Sequence, residues 1–134
     1  MKILLVEDSR FLRMAIERAL TRAGHSVISV ADGREGLHAA QTSPPALIVL
    51  GMMLPGLDGT SVLKALKRNA STAQIPVIVL TALSQKNEEK LKRAGAAAYI
   101  HKSTLHLEHN AHALIQSVES VLGRSATMSV SSPD

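Results

Sequence analysis

The chain has 134 residues, of which 46% are hydrophobic, and this is enough to bury the core of one domain. It has no cysteine, which excludes disulfide bonds, thiolate metal sites and a cysteine nucleophile. The formal net charge of +4 permits an acidic partner. The basic residues are nevertheless spread over three helical segments and there is only one Tyr and one Phe, so we expect no direct nucleic-acid binding. No apolar run approaches the roughly 18 residues of a membrane span, so we expect a cytoplasmic protein without membrane attachment.

The predicted elements alternate between strand and helix along the chain. The first, third and fourth apolar runs are continuous, which is typical of strands that are buried on both faces of a parallel sheet. In chain order, the predicted strands are residues 2–6, 26–30, 46–50, 77–80 and 97–100.

Amphipathic stretches follow the strands and predict helices. The first stretch is stopped by Gly24. The second opens with Asp32 as a cap and has Glu35 three residues later, which is typical of a helix start. The third begins after Asp58 and Gly59.

The stretch 84–94 is polar on nearly all sides. Only Leu91 and Ala94 offer apolar anchorage in it. A helix of this kind is weakly held by its core, so we expect either the most mobile helix or one whose outer face meets a partner.

The end of the chain changes character after the last amphipathic stretch. We predict a fifth helix from 104 to 122, ended by Gly123. The remainder is small and polar, which predicts a domain of residues 1–122 followed by a polar tail or linker stub of residues 123–134.

Strand–helix repetition predicts an α/β fold with right-handed crossovers and one parallel sheet covered on both faces. Ligands of such sheets bind at the carboxyl ends of the strands. Glu7 and Asp8 follow the first predicted strand, Thr81 the fourth and Lys102 the fifth. Gly51 follows the third, so the sequence gathers all five residues at one edge of the sheet.

Four stretches, in this order, resemble the receiver domains of two-component response regulators. They are residues 5–9 (LVEDS), 53–59 (MLPGLDG), 77–82 (VIVLTA) and 95–102 (GAAAYIHK). The resemblance covers about residues 2 to 122. It implies a flavodoxin-like, doubly wound (βα)5 fold with a parallel five-stranded sheet in the order 2-1-3-4-5.

The resemblance also implies a function, which is to accept a phosphoryl group from a histidine kinase on an aspartate with the help of Mg²⁺. Glu7 and Asp8 match the acidic pair that holds the cation, and Lys102 matches the lysine that neutralises phosphoryl oxygens. Thr81 matches the switch hydroxyl, and Tyr99 matches the aromatic residue whose rotamer reports the state. The implied partners are other signalling proteins, namely a histidine kinase or an output protein, with a homodimer through helix 4, strand 5 and helix 5 as a further expectation.

The phosphoacceptor position of the family lies four residues before the loop proline, and here it is Gly51. Glycine has no nucleophile and removes one carboxylate from the metal site, so we expect weakened Mg²⁺ binding at Glu7 and Asp8 and otherwise no cofactor. Asp58 is the only nearby candidate for a substitute acceptor, and we expect it to be a helix N-cap instead.

Simpler roles exist for the same residues. Capping of the first helix and residual metal binding both stay open for Glu7 and Asp8, because acids suit the positive end of a helix dipole. Without a phosphate, the expected role of Lys102 is an ion pair with one of these two acids.

Four histidines occur late in the chain: His101, His106, His109 and His112. On one helix the last three fan out over about a third of the circumference and cannot converge on a metal ion. We expect a solvated face or a partner surface, and we assign Lys90, Tyr99 and His109 to that surface.

Two functions of different kinds follow. The first is a pseudo-receiver, a signalling module that is not an enzyme and works by protein–protein contact without aspartyl phosphate. The alternative is an ordinary phosphoacceptor in which Gly51 replaces the acceptor Asp by a laboratory or clone substitution. A DNA-associated basic protein is disfavoured because no helix-turn-helix segment is present.

Overall fold

The computed structural model describes residues 1–81, 88–102 and 111–131, and strands alternate with helices throughout these ranges. In chain order the elements are β1 (Lys2–Val6), α1 (Arg10–Arg22), β2 (Ser26–Val30), α2 (Gly33–Thr42), β3 (Leu47–Gly51), α3 (Gly59–Arg68), β4 (Val77–Thr81), α4 (Glu88–Arg93), β5 (Ala98–His101) and α5 (His112–Ser131). Among these helices, none combines the length and the apolar character that crossing a membrane requires.

The five strands form one parallel sheet in the order β2-β1-β3-β4-β5, which confirms the predicted fold class and strand order. β1 lies between β2 and β3, and β3 lies between β1 and β4. β3 and β4 are buried along their whole length, as continuous apolar runs predict for strands covered on both faces.

Side chains alternate across the sheet and build one core on each face. On β1, Ile3 and Leu5 point to one face, and Leu4 and Val6 to the other. The first core includes residues of α1 and α5: Ile16, Leu20, Leu114 and Val118. The second includes residues of α3 and α4: Val62, Leu63, Leu66 and Leu91.

Three helices begin at a polar side chain that accepts a hydrogen bond from a backbone amide near the helix start. The Asp32 side chain accepts from the Glu35 amide at 2.7 Å, and this confirms the predicted cap of α2. Ser9 caps α1 by accepting from the Leu12 amide at 3.3 Å. Glu7 and Asp8 are therefore not the N-cap of α1.

The ends of the last three strands differ from the prediction by one residue. β3 is Leu47–Gly51 instead of 46–50, β4 extends to Thr81, and β5 is Ala98–His101 instead of 97–100. Gly51 is thus the last residue of β3, in register with Leu80 of β4, and not the first residue after the strand. Apolar character alone misses these ends because backbone pairing continues into polar residues and glycine.

The predicted start of the last helix at Thr104 is wrong. Ala111 has φ 53°, a left-handed backbone conformation that cannot lie inside a continuous right-handed helix. α5 therefore begins at His112. Residues 103–110, which include His106 and His109, lie outside the described residues, and so does the predicted fan of these two histidines beside His112.

The predicted stop at Gly123 is also wrong, because α5 continues to Ser131. A glycine that ends a helix commonly adopts positive φ, as Gly24 does after α1 with φ 98°. Gly123 lies inside the helix instead, and no proline follows it before Pro133. The boundary of the domain at residue 122 and the role of 123–134 as a tail or linker stay predictions.

α4 is described only from Glu88, so the predicted helix residues 84–87 lie outside the described part of the chain. Leu91 is buried and Ala94 is partly buried against the second core, as the sparse apolar pattern predicts. Mobility of this helix stays a prediction.

Candidate functional site

The residues singled out in the sequence gather at the carboxyl ends of the strands. Glu7 follows β1, Gly51 ends β3, Thr81 ends β4, and Lys102 follows β5. Thr81 is buried at the end of its strand, in register with His101. This placement follows from the parallel sheet, in which all carboxyl ends meet at one edge.

Glu7 and Lys102 form an ion pair at the centre of this site. Lys102 Nζ lies 3.2 Å from Glu7 Oε1 and 3.4 Å from Oε2. The Glu7 side chain is 0% exposed, whereas that of Lys102 is 28% exposed. The predicted pairing of Lys102 with one of the two acids is therefore observed, and the acid is Glu7.

The two oxygens of the Glu7 carboxylate are compensated differently. Oε2 accepts a hydrogen bond from the Ser9 amide at 2.9 Å. Within the described part of the chain, no donor gives Oε1 a hydrogen bond of good geometry. The ammonium group of Lys102 therefore compensates Oε1 mainly by charge, and a buried carboxylate depends strongly on such a partner.

Gly51 lies directly beside this carboxylate. A Cβ atom on residue 51 would stand 2.8 Å from Glu7 Oε1 and 3.3 Å from the Val6 carbonyl oxygen. Gly51 lies in an extended strand, a conformation that any residue adopts, so its backbone does not require glycine. The space that a side chain would fill is taken by the Glu7 carboxylate.

Asp8 is exposed, in contrast to the fully buried Glu7. Arg13 links α1 to the backbone of these two residues, because its Nη1 donates to the Glu7 carbonyl at 2.9 Å and to the Asp8 carbonyl at 3.4 Å. Sequence reasoning missed Arg13, which lies in an ordinary amphipathic helix and carries no motif signal.

The donor set here fits Mg²⁺ poorly. This cation prefers near-octahedral oxygen ligation and usually takes one or two carboxylates from the protein. Of the two predicted ligands, Glu7 is engaged by Lys102 and only Asp8 is exposed. No group of three or more His, Cys, Asp or Glu side chains that could hold a metal ion occurs in residues 1–81, 88–102 and 111–131.

Asp58 has a structural role that matches the prediction. Its side chain accepts from the Ser61 amide at 2.9 Å and caps α3. This backbone hydrogen bond is the largest influence on the Asp58 carboxyl and lowers its pKa below the usual value of 3.8. A carboxylate engaged in a cap is a poor candidate for a substitute phosphoacceptor.

The predicted partner surface is partly described. Lys90 is exposed on α4, Tyr99 is half-buried on β5, and His109 lies outside the described residues. Lys92 Nζ lies 5.4 Å from the centre of the Tyr99 ring, within the range of a cation–π contact. The His101 ring meets the Tyr99 ring edge-on with 6.4 Å between centroids, as residues two apart on one strand face allow.

Comparison with known proteins is consistent with this architecture. The model of the response regulator receiver domain family matches residues 3–117. The chain is 36% identical over 132 residues to the alkaline phosphatase synthesis transcriptional regulatory protein PhoP of Bacillus subtilis, covering 98% of this chain and 52% of that protein. It is 46% identical over 80 residues to the transcriptional regulatory protein AfsQ1 of Streptomyces coelicolor, covering 60% of this chain and 34% of the relative. The matched region thus spans about half of these relatives or less.

Two solved structures resemble the fold closely. The receiver domain of the Francisella response regulator 1452 superposes with a TM-score of 0.82 at 29% identity, covering 92% of this chain and 98% of the other. The receiver domain of the sensor histidine kinase PA1611 from Pseudomonas aeruginosa, which has a magnesium ion coordinated in its active-site cleft, gives 0.78 at 30% identity, covering 91% and 97%. With a family match over most of its length and this sheet order, the chain belongs to the receiver domains of response regulators.

Proposed function

We propose that this receiver domain is a pseudo-receiver, which signals by protein–protein contact without aspartyl phosphorylation and is not an enzyme. The observation that carries the proposal is the end of β3, where Gly51 stands at the position that the family's motif gives to the phosphoacceptor. A phosphoryl group needs a nucleophilic side-chain atom to accept it, and residue 51 offers none.

The charge balance of the site supports the same function. In a phosphoacceptor site, a lysine neutralises the phosphoryl group that arrives. Lys102 already has a buried counter-ion in Glu7. Weakened Mg²⁺ binding belongs to this proposal, because the cation would compete with Lys102 for Glu7.

The contact surface in this proposal is formed by α4, β5 and α5. Among the described strands β5 lies at an edge of the sheet, and the proposal places the partner against its outer side and the neighbouring helices. The last turn of α4 carries the basic side chains of Lys90 and Lys92, and Tyr99 adds an aromatic side chain, a residue type enriched at interfaces. A histidine kinase, an output protein or a second copy of this domain are the proposed partners.

The alternative function is an ordinary phosphoacceptor in which Gly51 has replaced the acceptor Asp. One observation favours it: Glu7, Asp8, Thr81 and Lys102 are all present at the strand ends in the places that the family's motifs require.

Gly51→Asp separates the two functions. The variant and the parent chain are treated with acetyl phosphate and MgCl₂ and compared by intact mass, and binding to a cognate kinase or output protein is measured for both. A pseudo-receiver binds its partner equally well with glycine and with aspartate at this position, whether or not the phosphodonor is present. A partner that binds only the phosphorylated variant would overturn the proposal in favour of the alternative.

A further inference from the structure

Among the described residues, Glu7 is the only acidic side chain at the strand ends that is completely buried. It directly follows β1, and its side chain turns towards β3 instead of towards solvent, so that Oε1 comes within 2.8 Å of the place of a Cβ on Gly51. In a strand position with an ordinary backbone, that space would belong to the side chain of residue 51.

The same carboxylate carries the charge that residue 51 lacks. Lys102 approaches the site from the end of β5 and reaches both carboxylate oxygens, at 3.2 and 3.4 Å. A buried carboxylate without a cation is strongly unfavourable, so the pair holds Glu7 in this inward position. The Ser9 amide fixes the second oxygen from the side of α1.

We infer that Glu7 has taken over both the space and the charge of the missing β3 acid, as a built-in counter-ion of Lys102, and that Gly51 is what admits it. The ion pair then closes the site to ligands of either sign. A divalent cation would have to take Glu7 from Lys102, and an oxyanion would have to take Lys102 from Glu7. The cation would leave the partly exposed Lys102 without its partner, and the oxyanion would leave the buried Glu7 without its partner.

The space and the charge are testable separately. Gly51→Ala introduces only a Cβ, which must displace Glu7 Oε1. Gly123→Ala is the matched control, because a Cβ there meets nothing within 4 Å and replaces a glycine inside α5. Lys102→Met removes the charge while keeping an apolar side chain of similar length.

The experiment measures the unfolding equilibrium constant of each variant by urea denaturation, in the parent chain and in Glu7→Ala. In the parent chain, Gly51→Ala should lower the constant at least about threefold and Lys102→Met at least about tenfold, the latter corresponding to about 1.4 kcal/mol. In Glu7→Ala, where the Val6 carbonyl oxygen at 3.3 Å still faces the new Cβ but the carboxylate is gone, both losses should fall below about threefold. Gly123→Ala should cause no loss in either background.

Equal losses in the two backgrounds, for either substitution, would overturn the inference. If Glu7→Ala does not fold, Glu7→Gln replaces it, since the amide keeps the size and removes the charge. The loss from Gly51→Ala should then persist while the loss from Lys102→Met disappears, and any other pattern contradicts the inference. Phosphoryl acceptance plays no part in these measurements, so their outcome is separate from that of the proposed function.

Discussion

Gly51→Asp should destabilise the domain in the absence of a divalent cation, because it places a second carboxylate against Glu7. The Cβ alone stands 2.8 Å from Glu7 Oε1. Two like charges about 4 Å apart repel by about 4 kcal/mol at the effective dielectric constant of a protein surface. Lys102 is attracted to both acids and offsets part of this repulsion. We therefore expect a net loss of about 1–3 kcal/mol in the free energy of unfolding.

The magnitude is measurable by urea denaturation. With a denaturant dependence of about 1–3 kcal/mol per molar urea for a small domain, a loss of about 2 kcal/mol lowers the midpoint by about 1 M. MgCl₂ should restore the stability of the Gly51→Asp variant, because a third carboxylate completes a cation site. At a concentration of about 100 times the dissociation constant, the gain is about 2.7 kcal/mol.

Gly51→Asn is the matched control, since it has the size of Asp without the charge. It should lose the steric part of the stability and gain nothing from MgCl₂. A Gly51→Asp variant that unfolds at the same urea concentration as the parent, or that ignores MgCl₂, would refute this account of the crowded carboxylates.

Three further changes test the surrounding structure by the same urea assay. Asp58→Ala should cost about 1 kcal/mol of unfolding free energy at neutral pH by removing the cap of α3. Because the pKa of Asp58 is lowered in the fold, its stabilising effect is present above pH 3.8 and is lost as the pH falls through the lowered value. The stabilities of the variant and the parent should therefore converge at that low pH. Lys67→Met should cost about 1–2 kcal/mol of unfolding free energy, because Nζ donates to two backbone carbonyls between α3 and β4. Burial lowers the pKa of Lys67, so the parent should gain stability relative to this variant as the pH rises from the lowered value towards 10.5. A stability difference that stays constant over this pH range would contradict the burial. Thr72→Val should cost about 1–2 kcal/mol of unfolding free energy by removing the buried hydrogen bond to the Leu66 carbonyl. The control Thr42→Val removes a similar hydrogen bond at an exposed helix end and should cost less. Equal losses would be inconsistent with the burial of Thr72.

The fold was largely predictable because several signals agreed. Apolar runs located all five strands to within one residue at each end, with those of β1, β3 and β4 continuous, and polar caps located the starts of α2 and α3. The last helix was the exception. An alanine gives no sequence signal for a left-handed conformation, which Ala111 nevertheless adopts. Gly123 was predicted to end the helix, but its backbone is helical and the helix continues.

The site was predictable in its location but not in its internal arrangement. Residue spacing placed Glu7, Thr81 and Lys102 at the strand ends, where the structure has them. It left open which acid pairs with Lys102, since Glu7 and Asp8 are adjacent in sequence and differ in burial only once the chain is folded. The Glu7 carboxylate lies in the room that the missing side chain of Gly51 leaves, and this is apparent only when β1 and β3 are placed side by side.

The most direct test of the central claim is the intact mass of the unmodified chain after incubation with acetyl phosphate and MgCl₂, analysed at neutral pH so that an acyl phosphate survives. We predict the mass of the untreated chain, with no phosphoryl group added. A stoichiometric addition of one phosphoryl group, lost on treatment with hydroxylamine, would show that another carboxylate serves as the acceptor and would contradict the account.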